Sequence, residues 1–456
     1  MTELAVVLVL EEEGVVLTSP GPFVLPMTTT VGELNKLVNE LLKKPTESGG
    51  VEEMGSWSFR IDGVRIITDI LSIVTELPEF STENTVKIEV YRPVRVLKCA
   101  DAGDTPDAII DLLPATNKDL ACLGSRANVT LKARNDLTEN KAVIRSDEPN
   151  SVALLRLTPQ FHLLVTACGT VQLVDMQAHT NVAYGKIHVA SRISAAALSP
   201  TLDMLAVGDA DGSLAVYKLP AAVLELAQAQ ELAQAQELAQ AQDSAVNDSP
   251  TKVSSRKRNL TNEYKWVLSS PVLKKSTFQM PVSWIRFYQD SINRIYSIIA
   301  TSLDGYLKVM DYIDGSVYNN FNTGKGITSA YLLHNHLVTG HVDGRLKLWN
   351  HDVSLYQKES SATLKCLQVS KAHSKAITDV CICPRGPRIF IVSASNDKTV
   401  CFTDIKSPAP ETSILVGETA PGKVGDYGLY PTALLVDGND IFVGTNNNRV
   451  YRYSLL

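Results

Sequence analysis

Apolar residues run unbroken from Ala5 to Leu10, an acidic run from Glu11 to Glu13 and then Gly14 follow, and Val15-Val16-Leu17 resumes the apolar pattern. Two short apolar runs around a glycine that tolerates positive φ predict an opening hairpin, with Pro22 to Pro26 extending its second strand. Thr30-Val31-Gly32-Glu33 is a capping-box pattern, in which the Thr hydroxyl accepts from the Glu33 amide while the Glu33 side chain reaches back. Val31, Leu34, Val38, Leu41 and Leu42 then recur at helical spacing, and Lys43-Lys44-Pro45 ends the helix. Trp57 to Ile61 reads as a strand before an Asp62-Gly63 turn, and Val86 to Tyr91 alternates as a last strand.

The predicted order ββαββ, within residues 1–93, is that of a ubiquitin-like α+β (β-grasp) domain. From residue 100 to 456 a different pattern recurs: an apolar strand, a tight turn with Asp, Asn or Gly, then an alternating strand. Asp211-Gly212, Asp304-Gly305, Asp343-Gly344 and Asn396-Asp397 open its clearest copies, and weaker copies follow Asn128, Gly169 and Asn448. The turns start near 126, 168, 211, 304, 343, 397 and 447. Most of these gaps approach the roughly 40–45 residues of a four-stranded blade. The pattern predicts an all-β, seven-bladed WD-repeat propeller, a ring that leaves few exposed strand edges.

The WD signature is degraded. A full repeat joins a His before the blade, an inner Ser or Thr, the turn Asp and a Trp by hydrogen bonds. The sixth repeat keeps His373, Ser393 and Asp397 but has Thr403 where Trp belongs, and the fifth keeps Asp343 and Trp349 but enters through Gly324-Lys325-Gly326 without a His. The long gap between the third and fourth turns carries an insertion, read as 221–275. It repeats Glu-Leu-Ala-Gln-Ala-Gln and then carries Arg256-Lys257-Arg258, with Lys252, Lys265, Lys274 and Lys275 nearby. Two readings of that cluster stay open: a nuclear-localisation or RNA-contacting loop, and a loop merely kept soluble by charge.

Composition adds exclusions. A net charge of -6 gives no overall basic field for nucleic acid, so any RNA contact is local. The seven cysteines are scattered and odd in number with no Cys-x-x-Cys, which reads as buried thiols rather than disulfides or zinc. No stretch approaches a membrane span, and the acidic flank of Ala5–Leu10 does not suit a signal peptide. There is no phosphate-binding Gly loop, His-Glu-x-x-His or Gly-x-Ser-x-Gly, so no enzyme, intrinsic metal or intrinsic cofactor is expected. His334 and His336 straddle one position of an expected strand, an arrangement met more often at a surface or in a core than at a metal.

A ubiquitin-like N-terminus joined to a WD propeller resembles the ribosome-biogenesis families that share the notchless-type N-terminal domain. The closer resemblance is to the WD-repeat subunit of the Pescadillo–Bop (PeBoW) complex, the WD-repeat protein twelve family. It rests on Thr30–Leu42 with Ser81-Thr82-Glu83 before the last strand, on the basic insertion after the third blade, and on the closing Asn446–Ser454 strand. Notchless is the runner-up: it shares the Ser-Thr-Glu turn but has eight blades. The resemblance implies a nucleolar and nucleoplasmic assembly factor for the large (60S) ribosomal subunit, acting in rRNA maturation. Its partners would be a Bop-type propeller, Pescadillo, pre-60S particles and the AAA ATPase midasin. Glu83, flanked by Ser81 and Thr82, would complete the shell of a Mg²⁺ held by midasin, a hard cation that suits carboxylate oxygen. Against this stand an ordinary exposed Glu and a generic WD-repeat adaptor of another pathway.

Overall fold

The computed structural model describes residues 3–12, 15–19, 21–42, 57–61, 64–66, 69–71, 85–91, 96–116, 118–146, 148–225, 264–268, 270–290, 295–351, 353–356, 364–386, 388–416 and 429–455. The N-terminal part is a six-stranded mixed sheet with one helix. In it, Val15–Thr18, Glu3–Glu12, Val86–Tyr91, Ser58–Ile61 and Val64–Arg65 lie side by side in that order. Glu3–Glu12 and Val86–Tyr91 run parallel, and the other pairs are antiparallel. The Pro22–Pro26 segment does not lengthen the second strand directly. Phe23–Pro26 forms its own strand on the opposite end of Glu3–Glu12, from Glu3↔Pro26 to Val6↔Phe23.

The helix runs Val31–Leu42. Its capping box is made in both directions: the Thr30 amide donates to Glu33 Oε2 (2.8 Å), and the Glu33 amide donates to Thr30 Oγ1 (3.4 Å). Leu34 and Val38 are buried against Leu4, Val6, Phe59, Ile61, Ile88 and Val90, each such side chain stabilising by about 1.5–3 kcal/mol over exposure. Leu41, expected on the same face, is 44% exposed.

Among the described residues seven further sheets follow, six of four strands and one of five. Their first strands are Ile109–Pro114, Ser151–Arg156, Ile193–Leu198, Val282–Asp290, Ile327–Leu333, Ile377–Arg385 and Pro431–Asp437, which number blades 1 to 7. Each first strand packs on the next, and blade 7 packs on blade 1, so the sheets close into a ring. Blade 7 takes its fourth strand from Val96–Asp104, which pairs antiparallel with Arg449–Leu455. The closing strand therefore begins ahead of residue 100, where the sequence reading started the repeats.

The seven turns expected from sequence are the positions that need a left-handed backbone. Ala127, Gly169, Gly212, Gly305, Gly344, Lys398 and Asn448 have φ between +61° and +88°, one in each blade. The second recurrence is a bulge at the start of each first strand, where register slips past Ile110, Val152, Ser194, Ser283, Thr328, Thr378 and Thr432. Three of these residues use a hydroxyl between blades: Ser194 donates to Val282 O (2.7 Å), Thr378 to Pro431 O (2.8 Å) and Thr432 to Ile109 O, whereas Ser283 and Thr328 bond within their own blades, to Thr301 Oγ1 and Gly340 O.

The insertion is shorter than the sequence suggested. Residues 221–225 are a helical turn, Leu273–Ser276 is the fourth strand of blade 3, and Tyr264–Leu268 pairs in parallel with Thr180–Ile187 as a fifth strand of blade 2. Lys265, Lys274 and Lys275 thus belong to strands, not to a charged loop. Residues 226–263, with Arg256, Lys257 and Arg258, lie outside the described residues.

Candidate interaction surfaces and the interdomain seam

The blade-locking residues come together in blade 6. His373 Nε2 lies 2.8 Å from Ser393 Oγ, and Nδ1 lies 3.2 Å from both Asp397 oxygens. Sequence reasoning missed Thr399, whose Oγ1 is 2.9 Å from the same Nδ1 and donates to Asp397 (2.6 Å). Burial pushes His373 below the ordinary His value, and Asp397 only partly offsets it. Burial pushes Asp397 up, but the Thr399 hydroxyl, the Ser374 amide and His373 hold it below the usual carboxylate range. Thr403, at the Trp position, is buried and its hydroxyl has no hydrogen-bond partner among the described residues.

Blade 5 is locked differently from the expectation. Asp343 and Trp349 do not join one network. Asp343 accepts from the Arg345 amide (3.2 Å), while Trp349 Nε1 donates to Thr339 Oγ1 (2.9 Å). His341, two residues before the turn Asp, supplies the imidazole: Nε2 is 2.9 Å from Thr339 Oγ1, and Nδ1 is 3.0 Å from Lys325 O. In blade 6 the equivalent residue is Ser395, which donates to Lys375 O and Ala376 O. The offset from the turn Asp, counted in the sequence, was the signal that could have found His341. The other His pair separates: His334 sits in the turn at φ +49°, so it does not share a strand face with His336.

Glu83, Ser81 and Thr82 lie outside the described residues, immediately ahead of Val86–Tyr91. All seven cysteines are free. Cys122, Cys381, Cys383 and Cys401 are buried, but Cys168 and Cys366 are exposed, contrary to the reading of buried thiols. Among the described residues no group of three or more His, Cys, Asp or Glu is placed to hold a metal ion.

A cluster of buried charges lies where the N-terminal sheet meets blade 6. Arg60, in Ser58–Ile61, donates from Nε to Glu89 Oε2 (2.6 Å) on the neighbouring strand and from Nη1 to Asp404 Oδ2 (3.1 Å) of the propeller. The side chains of Arg60 and Asp404 are each 3% exposed. Arg388 donates from Nε (3.0 Å) and Nη2 (2.8 Å) to the same Asp404 oxygen and also pairs with Glu411. Both guanidiniums lie against the Tyr91 ring, Arg60 at 4.7 Å and Arg388 at 4.4 Å from its centre, and Arg388 also covers Phe390 at 4.5 Å. Burial pushes Asp404 up, but the Lys406 amide, Arg388 and Arg60 hold it below the usual range. A shallow cleft lies beside this contact, lined by Val9, Lys87, Glu89, Val90 and the two arginines among others.

Residues 364–404 match the family described as "WD domain, G-beta repeat". The match spans the outer strand of blade 5 and the first three strands of blade 6, and it contains the His373–Ser393–Asp397 lock. Among solved structures the chain is similar to the WD40 β-propeller domain of Doa1, with a TM-score of 0.53 and 13% identity, over 78% of this chain and 96% of that one. The fold is a WD40-type β-propeller. WD40 propellers serve in general as non-catalytic platforms for protein–protein interaction. Among the described residues, blade 6 carries a lock close to the full pattern, while blade 5 rebuilds one from His341.

Proposed function

We propose that this protein is a non-catalytic assembly factor for the large ribosomal subunit, of the Pescadillo–Bop WD-repeat type. The observation that carries the reading is the joining, in one chain, of a mixed sheet and helix with parallel first and last strands to a closed propeller of seven sheets. The N-terminal part is then a ubiquitin-like domain. Seven sheets favour this family over notchless, whose propeller has eight blades. The propeller docks a Bop-type partner that holds Pescadillo. Glu83, on the chain leading into Val86–Tyr91, offers its carboxylate to a Mg²⁺ held by midasin. Arg256, Lys257 and Arg258 serve nuclear import or contact rRNA, and the protein resides in the nucleolus and nucleoplasm.

The experiment is a pull-down of tagged wild-type protein and Glu83→Ala from native cells, with partners identified by mass spectrometry. Wild type should recover stoichiometric Pescadillo and Bop homologues. Glu83→Ala should retain them and lose midasin. Unrelated partners in place of these would remove the ribosome-assembly reading and leave the scaffold.

A further inference from the structure

We infer that the seam between the N-terminal sheet and blade 6 is a releasable latch, closed in this structure, whose bolt is the Arg60–Asp404 ion pair. A buried ion pair is ordinarily hard to open, because each charge left behind is buried and unpaired. Here neither charge would be. Arg60 keeps Glu89, its register partner on the adjacent strand of its own sheet. Asp404 keeps both bonds from Arg388 and one from the Lys406 amide, all within blade 6.

The aromatic contacts divide in the same way. Tyr91 loses Arg388 but keeps Arg60, and Arg388 keeps Phe390 and Glu411. Each half is therefore internally paired before the halves meet, and separation exposes groups that are already satisfied. A permanent joint would place its only partners across the boundary.

The chain path gives the latch a consequence. Val86–Tyr91 ends the N-terminal sheet and Val96–Asp104 closes blade 7, with only residues 92–95 between them. When the latch is closed, the N-terminal sheet is held at two places on the propeller, at blade 6 and through the closing strand. When it opens, the covalent link through residues 92–95 remains, and the surface carrying Arg60, Glu89 and Tyr91 is uncovered. This inference is independent of which partners the protein binds.

The test uses the full chain as wild type, Arg60→Met, Asp404→Asn and the control Lys87→Met, measured by small-angle X-ray scattering at about 0.05 M and about 0.5 M NaCl. Wild type should keep one maximum dimension at both salt concentrations, because a buried pair is weakly screened. Arg60→Met and Asp404→Asn should each shift to a larger maximum dimension, and Lys87→Met, whose side chain is 57% exposed, should not. Amide exchange across Glu3–Glu12 and Val86–Tyr91 separates opening from unfolding: protection should persist in both opened variants. Scattering from both variants that superposes on wild type would overturn the latch. So would loss of protection throughout the N-terminal sheet, because the two halves would then not be self-sufficient.

Discussion

Gly444, on the second strand of blade 7, lies directly against Ile109, the first residue of the first strand of blade 1. A Cβ at 444 would sit 2.5 Å from Ile109 Cγ2 and 3.0 Å from its Cβ. The same approach recurs between Gly208 and Val282 (2.5 Å) and between Gly340 and Ile377 (2.6 Å), each joining one blade to the next. At the 7-to-1 joint the Thr432 hydroxyl bridges the same boundary to Ile109 O. The ring thus closes through a glycine that admits the neighbouring strand, a bulge-borne hydroxyl and the Val96–Asp104 strand.

Gly444→Ala should therefore destabilise the propeller by about 1–3 kcal/mol, the usual cost of forcing a methyl group into a packed core. Gly21→Ala is the comparison, since nothing lies within 4 Å of a Cβ at that position. Thermal unfolding of the two variants beside wild type checks this. Equal midpoints for both would mean that the blade 7–blade 1 boundary yields freely and that the glycine is not required there.

A second prediction concerns the fifth strand of blade 2. Trp266 is buried over Gly185, where a Cβ would fall 2.3 Å from the indole ring, and it shares a core cluster with Leu268 and Val223. Both ends of the 226–263 segment are thus anchored in one apolar cluster between blades 2 and 3. Trp266→Ala should cost about 3–5 kcal/mol, as other buried aromatic truncations do. Replacing residues 228–261 by a short Gly/Ser linker should leave the midpoint close to wild type, because loop closure changes by only about 0.6 kcal/mol per doubling of length. A large loss of stability in the shortened chain, with little in Trp266→Ala, would reverse this assignment of the anchor.

The features legible in the sequence are those with a local physical cause. The seven turns announced themselves because a left-handed backbone selects Gly or Asn, and the positions at Gly212, Gly305 and Gly344 carry that mark plainly. Ala127 and Lys398 adopt the same conformation without it, and the neighbouring Asn128 and Asn396-Asp397 were what marked their turns. The helix was readable from Thr30 and Glu33, whose reciprocal bonds lie three residues apart. Three features had no such signal. Tyr264–Leu268 pairs with a strand some eighty positions earlier and follows a low-complexity run, so it read as loop. His341 took over a position that usually holds a hydroxyl. Arg60 and Asp404 are separated by 344 positions, and nothing near either residue indicates the other.

The last prediction turns on two carboxylates in the ring of first strands. Asp111 of blade 1 accepts from the Leu112 amide (2.9 Å) and the Leu154 amide of blade 2 (3.5 Å). Asp379 of blade 6 accepts from the Leu434 amide of blade 7 (2.8 Å) and the Ser329 hydroxyl of blade 5 (3.0 Å). Burial, and then repulsion from Asp379, pushes Asp111 up to about 7, and burial pushes Asp379 up to about 6. In the unfolded chain an Asp titrates near ~3.9. Between that pH and about 7 the folded state holds a proton on Asp111 that the unfolded state has released, so this group makes stability fall as pH rises through the interval and leaves it level above. Asp111→Asn keeps an oxygen that can accept from the Leu112 amide and removes the charge. Its thermal midpoint relative to wild type should rise from pH 4 to pH 7 and then stay constant, and the double variant with Asp379→Asn should gain less than the two single gains added, because each carboxylate raises the cost of ionising the other. Midpoint curves that run parallel from pH 4 to pH 8 would show that these carboxylates ionise in the folded ring as freely as in the open chain.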